Sequence, residues 1–577
     1  MASGFLVPRV YNNFRGVDFR GDEINLMRSP DSLNVWKDYK ETESIRTRPK
    51  MEELCAFKET IYGIFFYKAG DTQMMLVHSG TNLYKVVGEE KTVIREGINE
   101  IKSDAFVYNN LWFFKDGVNY LQYDGETIED VVGYVPTTTI ARKPDGGGGT
   151  VLEDYNMLSD FRINTFIGDR VSKDFHLDTR DIDFPTTPAE LVNWKDYLEI
   201  TVNDEPLSED ITLTVERDKG IIHFNKAPDA GYTTGQPNIR IKFKKTLNDK
   251  SKILGCTMLQ VFDNRVFFSG NKDYPNMMWH CSLNDPTYCS SDDYYNEGLD
   301  TAKVKGMATG NNALWVFKEP SQANTTIFYH TPTIDAEYGK IYPNSHSSIS
   351  MGCIGKAINF NDDIVFFSDR GMEGINGNIT DEQVIAHRSS LVDRKLTAET
   401  NYEDMVLEEW NGYLITIIGN KAYLADSRAM FPNENHYEYE WFYWEFDKNV
   451  TCAKVNNGIL YLGTDDGVYT LTDTTGAVES YWVTPKDKFE YPQYLKTTNK
   501  RGCTVEATAD IDISVYVKTD KSQKFELIGT YENITDYFVS RIKRKKFKDI
   551  QVKFHSQTRF SLETATLECF IGGYLKR

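Results

Sequence analysis

Along the chain a polar turn pair is repeatedly followed by four or five apolar or aromatic residues. The copies are Glu59-Thr60 before Ile61-Tyr62-Gly63-Ile64-Phe65-Phe66, Asn109-Asn110 before Leu111-Trp112-Phe113-Phe114, and Asp263-Asn264 before Arg265-Val266-Phe267-Phe268. The phrase returns at Asn311-Asn312, Asn361-Asp362-Asp363, Asn411-Gly412 and Asn456-Asn457-Gly458. Roughly ten to twenty residues behind each copy comes a second short apolar run, as at Asn82–Val86, Asn119–Tyr123, Thr326–Tyr329, Gly371–Ile375, Lys421–Leu424 and Gly467–Leu471. Strand, turn and strand, with Asn and Gly between, is the pattern of a β-hairpin.

The spacing turns hairpins into an architecture. Counted from Thr60, Asn110, Asn264, Asn312, Asp362, Asn411 and Asn457, the gaps are 50, 154, 48, 50, 49 and 46 residues. Propeller blades recur every ~40–50 residues. The long gap exceeds the others by about 105 residues, the size of an inserted domain. The sequence therefore predicts an all-β fold: a β-propeller of about seven blades, with six or eight still open because a terminal strand often completes a neighbouring blade. An irregular series of β-sandwiches is the competing reading, and the near-constant spacing argues against it.

Four regions follow. Residues 1–138 carry N-terminal strands and the first blades, 139–252 an inserted β-rich domain, 253–480 the remaining blades, and 481–577 a C-terminal β-sandwich-like segment. The insertion contains Asp145-Gly146-Gly147-Gly148-Gly149, but no Lys follows as a phosphate-cradling loop requires, so a flexible hinge is expected. Alternation at Leu198–Val202, Ile221–Phe224 and Ile239–Phe243 predicts strands there. In the last region Ile511–Val517 and Ile550–Phe554 alternate as well. Between them lies the one dense basic run, with Arg541, Lys543, Arg544, Lys545, Lys546 and Lys548. It reads as a nucleic-acid patch, or as a Lys-guarded edge strand that contacts an acidic neighbouring subunit. A formal net charge of −20 favours the edge or subunit contact.

Composition narrows the function classes. Thirty-four Tyr and 33 Phe suit pleated surfaces. The acidic balance argues against wrapping nucleic acid, and leaves room for a polymer that slides past without sticking. No apolar run reaches the ~20 residues of a membrane helix, and Met1–Arg9 lacks the features of a signal peptide. Assembly in the cytoplasm is expected. Eight scattered Cys without a Cys-x-x-Cys pair read as reduced, mostly buried small hydrophobes. His280-Cys281 with Cys289 lacks a fourth ligand, and Asp465-Asp466-Gly467 reads as a plain hairpin turn and not a calcium loop. Neither a nucleophile elbow nor a zinc-protease motif is present. No catalytic, cofactor-binding or metal-ligating residue is predicted.

Several phrases bear a resemblance. Gly16-Val17-Asp18, Ser29-Pro30-Asp31-Ser32-Leu33-Asn34-Val35 and Arg46-Thr47-Arg48-Pro49 are similar to the opening of tail nozzle and packaged-DNA stabilisation proteins of short-tailed bacteriophages. Asn264–Asn271, Pro275-Asn276, Ser282–Pro286 and Phe366-Phe367-Ser368-Asp369-Arg370-Gly371 resemble internal phrases of that family. The resemblance implies a non-enzymatic virion protein, commonly in six copies around the tail axis. It would lie beside adaptor or portal-proximal proteins and tail fibres or spikes, and packaged DNA would pass through its lumen. A carbohydrate-binding or polysaccharide-degrading propeller, such as a receptor-binding protein, is the alternative that the aromatics and acidic turns keep open.

Overall fold

The computed structural model describes residues 5–21, 24–39, 44–88, 90–186, 191–231, 235–299, 301–321, 325–336, 339–347, 351–376, 384–433, 436–473 and 476–574. Met1–Gly4, part of the N-terminal stretch read above, lie outside them. Among the described residues the protein is almost entirely β, with two short α-helices, Lys250–Leu254 and Asp393–Leu396. No described helix is long and apolar enough to cross a membrane.

Seven four-stranded sheets are strung along the chain. They lie at 61–96, 104–130, 258–296, 304–347, 357–387, 406–445 and 452–472, the last completed by strand Lys50–Ala56, which pairs with Gly467–Thr472. Such sheets are the units from which propellers are built. In six of them the first and second strands are joined by two residues that both have positive φ: Asn109-Asn110, Asp263-Asn264, Asn311-Asn312, Asn361-Asp362, Asn411-Gly412 and Asn457-Gly458. That is the type I′ turn, whose twist matches paired strands, and Asn, Asp and Gly tolerate the left-handed region it needs. The recurrent turn phrase thus has a conformational cause. The first copy is one strand out of phase, because Glu59-Thr60 leads into the first strand, Ile61–Ala69, and the first hairpin turns at Gly70-Asp71.

Second strands are rich in consecutive apolar residues, and in three of them both faces are fully covered. Every residue of Ala313–Lys318, Asp363–Ser368 and Tyr413–Ile418 is buried. A strand covered on both sides reads as a continuous apolar run and not as an alternation.

The chain divides into two compact units. The first holds the sheets at 61–96, 357–387, 406–445 and 452–472, most of that at 304–347, and the two chain termini. Within it, Cys452–Asn456 packs between the first strands Val406–Trp410 and Ile61–Ala69. The predicted C-terminal sandwich is present, but the N-terminal strands are woven into it. Phe5–Tyr11 pairs with Phe560–Tyr574, Ile45–Thr47 pairs with the same strand, and Ser32–Leu33 pairs with Ser480–Val483. The opposing sheet carries Ile550–Ser556, Asp512–Thr519 and Glu526–Glu532. Trp36, Trp482, Val515, Phe554 and Leu567 are buried in one cluster of this unit.

The second unit contains the sheets at 104–130 and 258–296 and the inserted domain. The insertion is a six-stranded sheet that includes Thr137–Arg142, Phe161–Phe166, Leu198–Val202 and Ile239–Lys244, beside a three-stranded sheet. Phe166, Phe175, Ile222 and Phe243 are buried in its core. The glycine run is not a flexible hinge. It is the tip of a hairpin, fixed by Lys143 N–H donating to Gly147 O and His176 N–H donating to Pro144 O, each at 2.9 Å.

Candidate functional site

The predicted basic run lies on the sandwich, strapped to strand Tyr494–Ala509. Only Lys546–Phe547 is regular strand, so the expected continuous edge strand is a short, mostly irregular segment. Thr498 is its clasp: the Thr498 N–H donates to Lys545 O at 3.0 Å, and Lys545 N–H donates to Thr498 Oγ1 at 2.9 Å. Ile542 and Phe547 are buried anchors, and Arg541, Lys543, Arg544, Lys546 and Lys548 are exposed between and beside them. This period explains the sequence: apolar anchors need burial, and cations placed between them stay hydrated. Lys545 pairs with Glu526 at 2.5 Å. Among the described residues, Arg541, Lys543, Arg544 and Lys546 make no ion pair. Gly502 has φ +75, and a Cβ there would lie 2.2 Å from Ser540 O and 2.5 Å from Ile542 N. That close approach brings the exposed Lys500-Arg501 turn beside the run and enlarges the cationic surface.

Most residues of the N-terminal phrases are buried, with Asp31 exposed. Ser29 Oγ donates to Val483 O at 2.7 Å, and just before that phrase Arg28 forks onto Glu440 at 2.7 and 2.8 Å, with the carboxylate fully buried. Arg46 pairs with Asp38 and Asp473. Arg48 donates to Asn34 Oδ1 and to the carbonyls of Pro49 and Glu445, and burial lowers its guanidinium to about 10. Gly16 has φ +128, and a Cβ there would meet Trp441 O at 2.1 Å. Only glycine fits that crossing.

Sequence reasoning missed a titratable cluster in the sheet at 357–387. His387 Nε2 is 2.6 Å from Asp393 Oδ2, and its Nδ1 is 3.1 Å from Glu373 Oε1. Burial alone would depress the imidazole, but the two carboxylates outweigh it and raise the group to about 10. Ser389 Oγ donates to Asp393 and not to the imidazole, so the cluster is a charge clamp and not a nucleophile with its base. No local signal could have found it, since the three residues share no motif.

Each unit also holds a hollow. In the first unit a cleft of about 1190 Å³ is lined by Arg20, Arg394, Lys486, Lys488 and Lys518, with Asp31 among them. In the inserted domain a cavity of about 520 Å³ has Phe184, Trp194, Leu198 and Ile200 in its wall, together with Glu199 and Glu209.

The residues weighed earlier for metals go elsewhere. His280 stacks on Tyr295, accompanies Cys281 O at 2.9 Å and stands 3.8 Å from Asp293, whose carboxyl burial raises to about 7. The Cys281 thiol accepts the Val266 N–H, and Cys289 is buried. All eight cysteines are free and six are buried, as small hydrophobes would be. Asp466 accepts from Thr464 Oγ1 and pairs with Lys448 in its hairpin turn.

No family model matches the chain, and no curated protein matches it. Among solved structures, BamB from Moraxella catarrhalis is 10% identical, with 73% of this chain and 97% of that chain covered at a TM-score of 0.33. The computationally designed Ika8 protein is 9% identical, with coverages of 73% and 99% and a TM-score of 0.32. An exo-beta-1,3-galactanase from Phanerochaete chrysosporium, solved with galactose, is 9% identical, with coverages of 81% and 95% and a TM-score of 0.18. At these scores none of them carries an argument about this chain.

Proposed function

We propose that this chain is a non-enzymatic structural protein of a short-tailed bacteriophage, a tail nozzle or head-completion subunit. In this reading the seven sheets are the blades of one propeller, closed by strand Lys50–Ala56. Several copies, six by resemblance, form a ring in the tail around the path of packaged DNA, beside adaptor or portal-proximal proteins and fibres or spikes. Subunits assemble in the host cytoplasm and end in the virion. DNA passes the lumen without sequence-specific binding.

The observation that carries the reading is where the family-like phrases fall. Gly16, Ser29, Asn34, Arg46 and Arg48 are buried, and their contacts with Trp441, Val483, Glu479, Asp473 and Glu445 tie the N-terminal segment to distant parts of the first unit. A resemblance carried by such buried framework residues concerns how the subunit is built, and a structural role needs no reactive group. Deletion of the encoding gene tests it. Particles should package DNA and then lose it, and mass spectrometry of intact virions should recover this polypeptide in several copies. Infectious virions without the polypeptide would overturn the proposal.

A carbohydrate-binding reading is favoured by one observation, the inserted-domain cavity in which Trp194 accompanies Glu199 and Glu209. An indole face suits the C–H face of a sugar, and carboxylates accept from its hydroxyls. Retention of host-envelope polysaccharide that Trp194→Ala abolishes would support it. Equal retention by both proteins would remove it.

A further inference from the structure

Two surfaces of this chain are complementary in charge and alike in form. The first is the edge of the sandwich. Among the described residues, strand Tyr537–Ser540 ends its sheet, pairing with Tyr494–Ala509. Phe538 and Ser540 point inward, whereas Tyr537 is 64% and Val539 38% exposed. The cations Arg541, Lys543, Arg544 and Lys546 continue directly from it, with Lys500 and Arg501 alongside.

The second surface belongs to the other unit. Among the described residues, strand Ile128–Asp130 is likewise the last of its sheet, paired with Tyr120–Tyr123. Asp124, Glu126, Glu129 and Asp130 are exposed along it, and Val132, just beyond, is 74% exposed. Asn156 Nδ2 donates to Tyr134 O at 2.9 Å, which holds the segment around Glu153 close by. There Val151 is 76% and Leu152 56% exposed, and Tyr134 bonds Glu153. From Asp116 to Ala141 the chain has no Lys or Arg at all.

Each surface is therefore the edge of a sheet among the described residues, with exposed apolar side chains beside a run of like charges. Cations at 541–546 stand behind the first, with exposed Asp536 and Glu506 at its other end, and acids run along the second. With strands of only four and three residues, these edges offer few backbone groups to another chain, so charge must choose the partner. Runs of opposite charge on one molecule attract between copies and repel between like runs, which fixes register. Two different patches that meet make a heterologous contact, the kind that generates rings when the rotation closes. We propose that the cationic edge 537–546 of one copy docks on the acidic edge 124–132 of the next copy. The inference rests on the ring reading above and assigns its contact. The occupant is a second copy and not nucleic acid, because the cationic edge adjoins exposed Tyr537 and Val539, which suit a protein edge with its own Val132 and Leu152.

The test is sedimentation of the full chain and of three charge variants. K543E/R544E/K546E reverses one edge, E126K/E129K/D130K the other, and a third protein carries all six changes. Circular dichroism checks that each is folded. Wild type should sediment above the monomer at low salt and dissociate as salt rises from 0.01 M to 1 M, over which the screening length falls from about 30 Å to about 3 Å. Each triple variant should be monomeric, and the six-fold swap should restore association. Triple variants that sediment like wild type would overturn the proposed contact while leaving the ring standing. A wild type that stays monomeric at every salt concentration would instead overturn the ring reading itself. If K543E/R544E/K546E loses retention of duplex DNA and keeps its association, the cationic edge serves nucleic acid and the proposal falls.

Discussion

The repeated sheets and the inserted domain are both antiparallel β, yet their strands are written differently. Ala313–Lys318 is buried at every position, whereas Ile239–Lys244 alternates buried and half-buried residues. A strand with one covered face needs apolar residues at every second position; a strand with two covered faces needs them at all. The consecutive apolar runs therefore report sheets packed on both sides. The alternating runs of the insertion and of the sandwich report two-layer domains with one face in water.

The largest expected effect breaks that comparison at neighbouring positions. Leu314→Ala and Trp315→Ala point to opposite faces, and both should be severe, costing about 2–5 kcal/mol each in urea unfolding. In the insertion only one parity should matter. Ile241→Ala should cost a similar amount, whereas Arg240→Thr should stay within about 0.5 kcal/mol. If Leu314→Ala proved harmless beside a severe Trp315→Ala, coverage on both faces would be refuted.

A smaller effect concerns the clamp at His387. Its raised group contributes stability that is fully present below the unfolded value of about 6.5 and is lost as pH rises through about 10. His387→Gln should cost about 2 kcal/mol at pH 6 and progressively less towards pH 10 and above. Thermal melts across that range check it, and a penalty independent of pH would contradict the clamp. The smallest effect is at the turns. Asn312→Val forces a β-branched residue into φ +57 and should cost about 1–2 kcal/mol. Asn312→Gly should be close to neutral, and equal losses in the two variants would remove the type I′ explanation.

Much of this architecture was legible because its signals are local. The turn pairs Asn109-Asn110 to Asn457-Gly458 and the runs behind them mark second and third strands, since only certain residues accept positive φ. The first copy slipped by a strand because Glu59-Thr60 is polar without forming a hairpin. Strand Lys50–Ala56 was not assignable: its partner lies more than 400 residues away, and distant pairing leaves no local period. For the same reason the N-terminal strands were not placed in the sandwich. Of the candidate site, the cationic run was visible as composition, but its anchors Ile542 and Phe547 and the clasp at Thr498 were not. The acidic edge could have been found, because the stretch from Asp116 to Ala141 lacks any cation.

Electron cryomicroscopy of purified particles tests the central claim most directly. The account predicts this chain in the tail, as copies arranged about the tail axis, each a wheel of seven sheets closed by strand Lys50–Ala56. Particles whose tail density accommodates every component without this chain, or a chain whose sheets form no wheel, would contradict it.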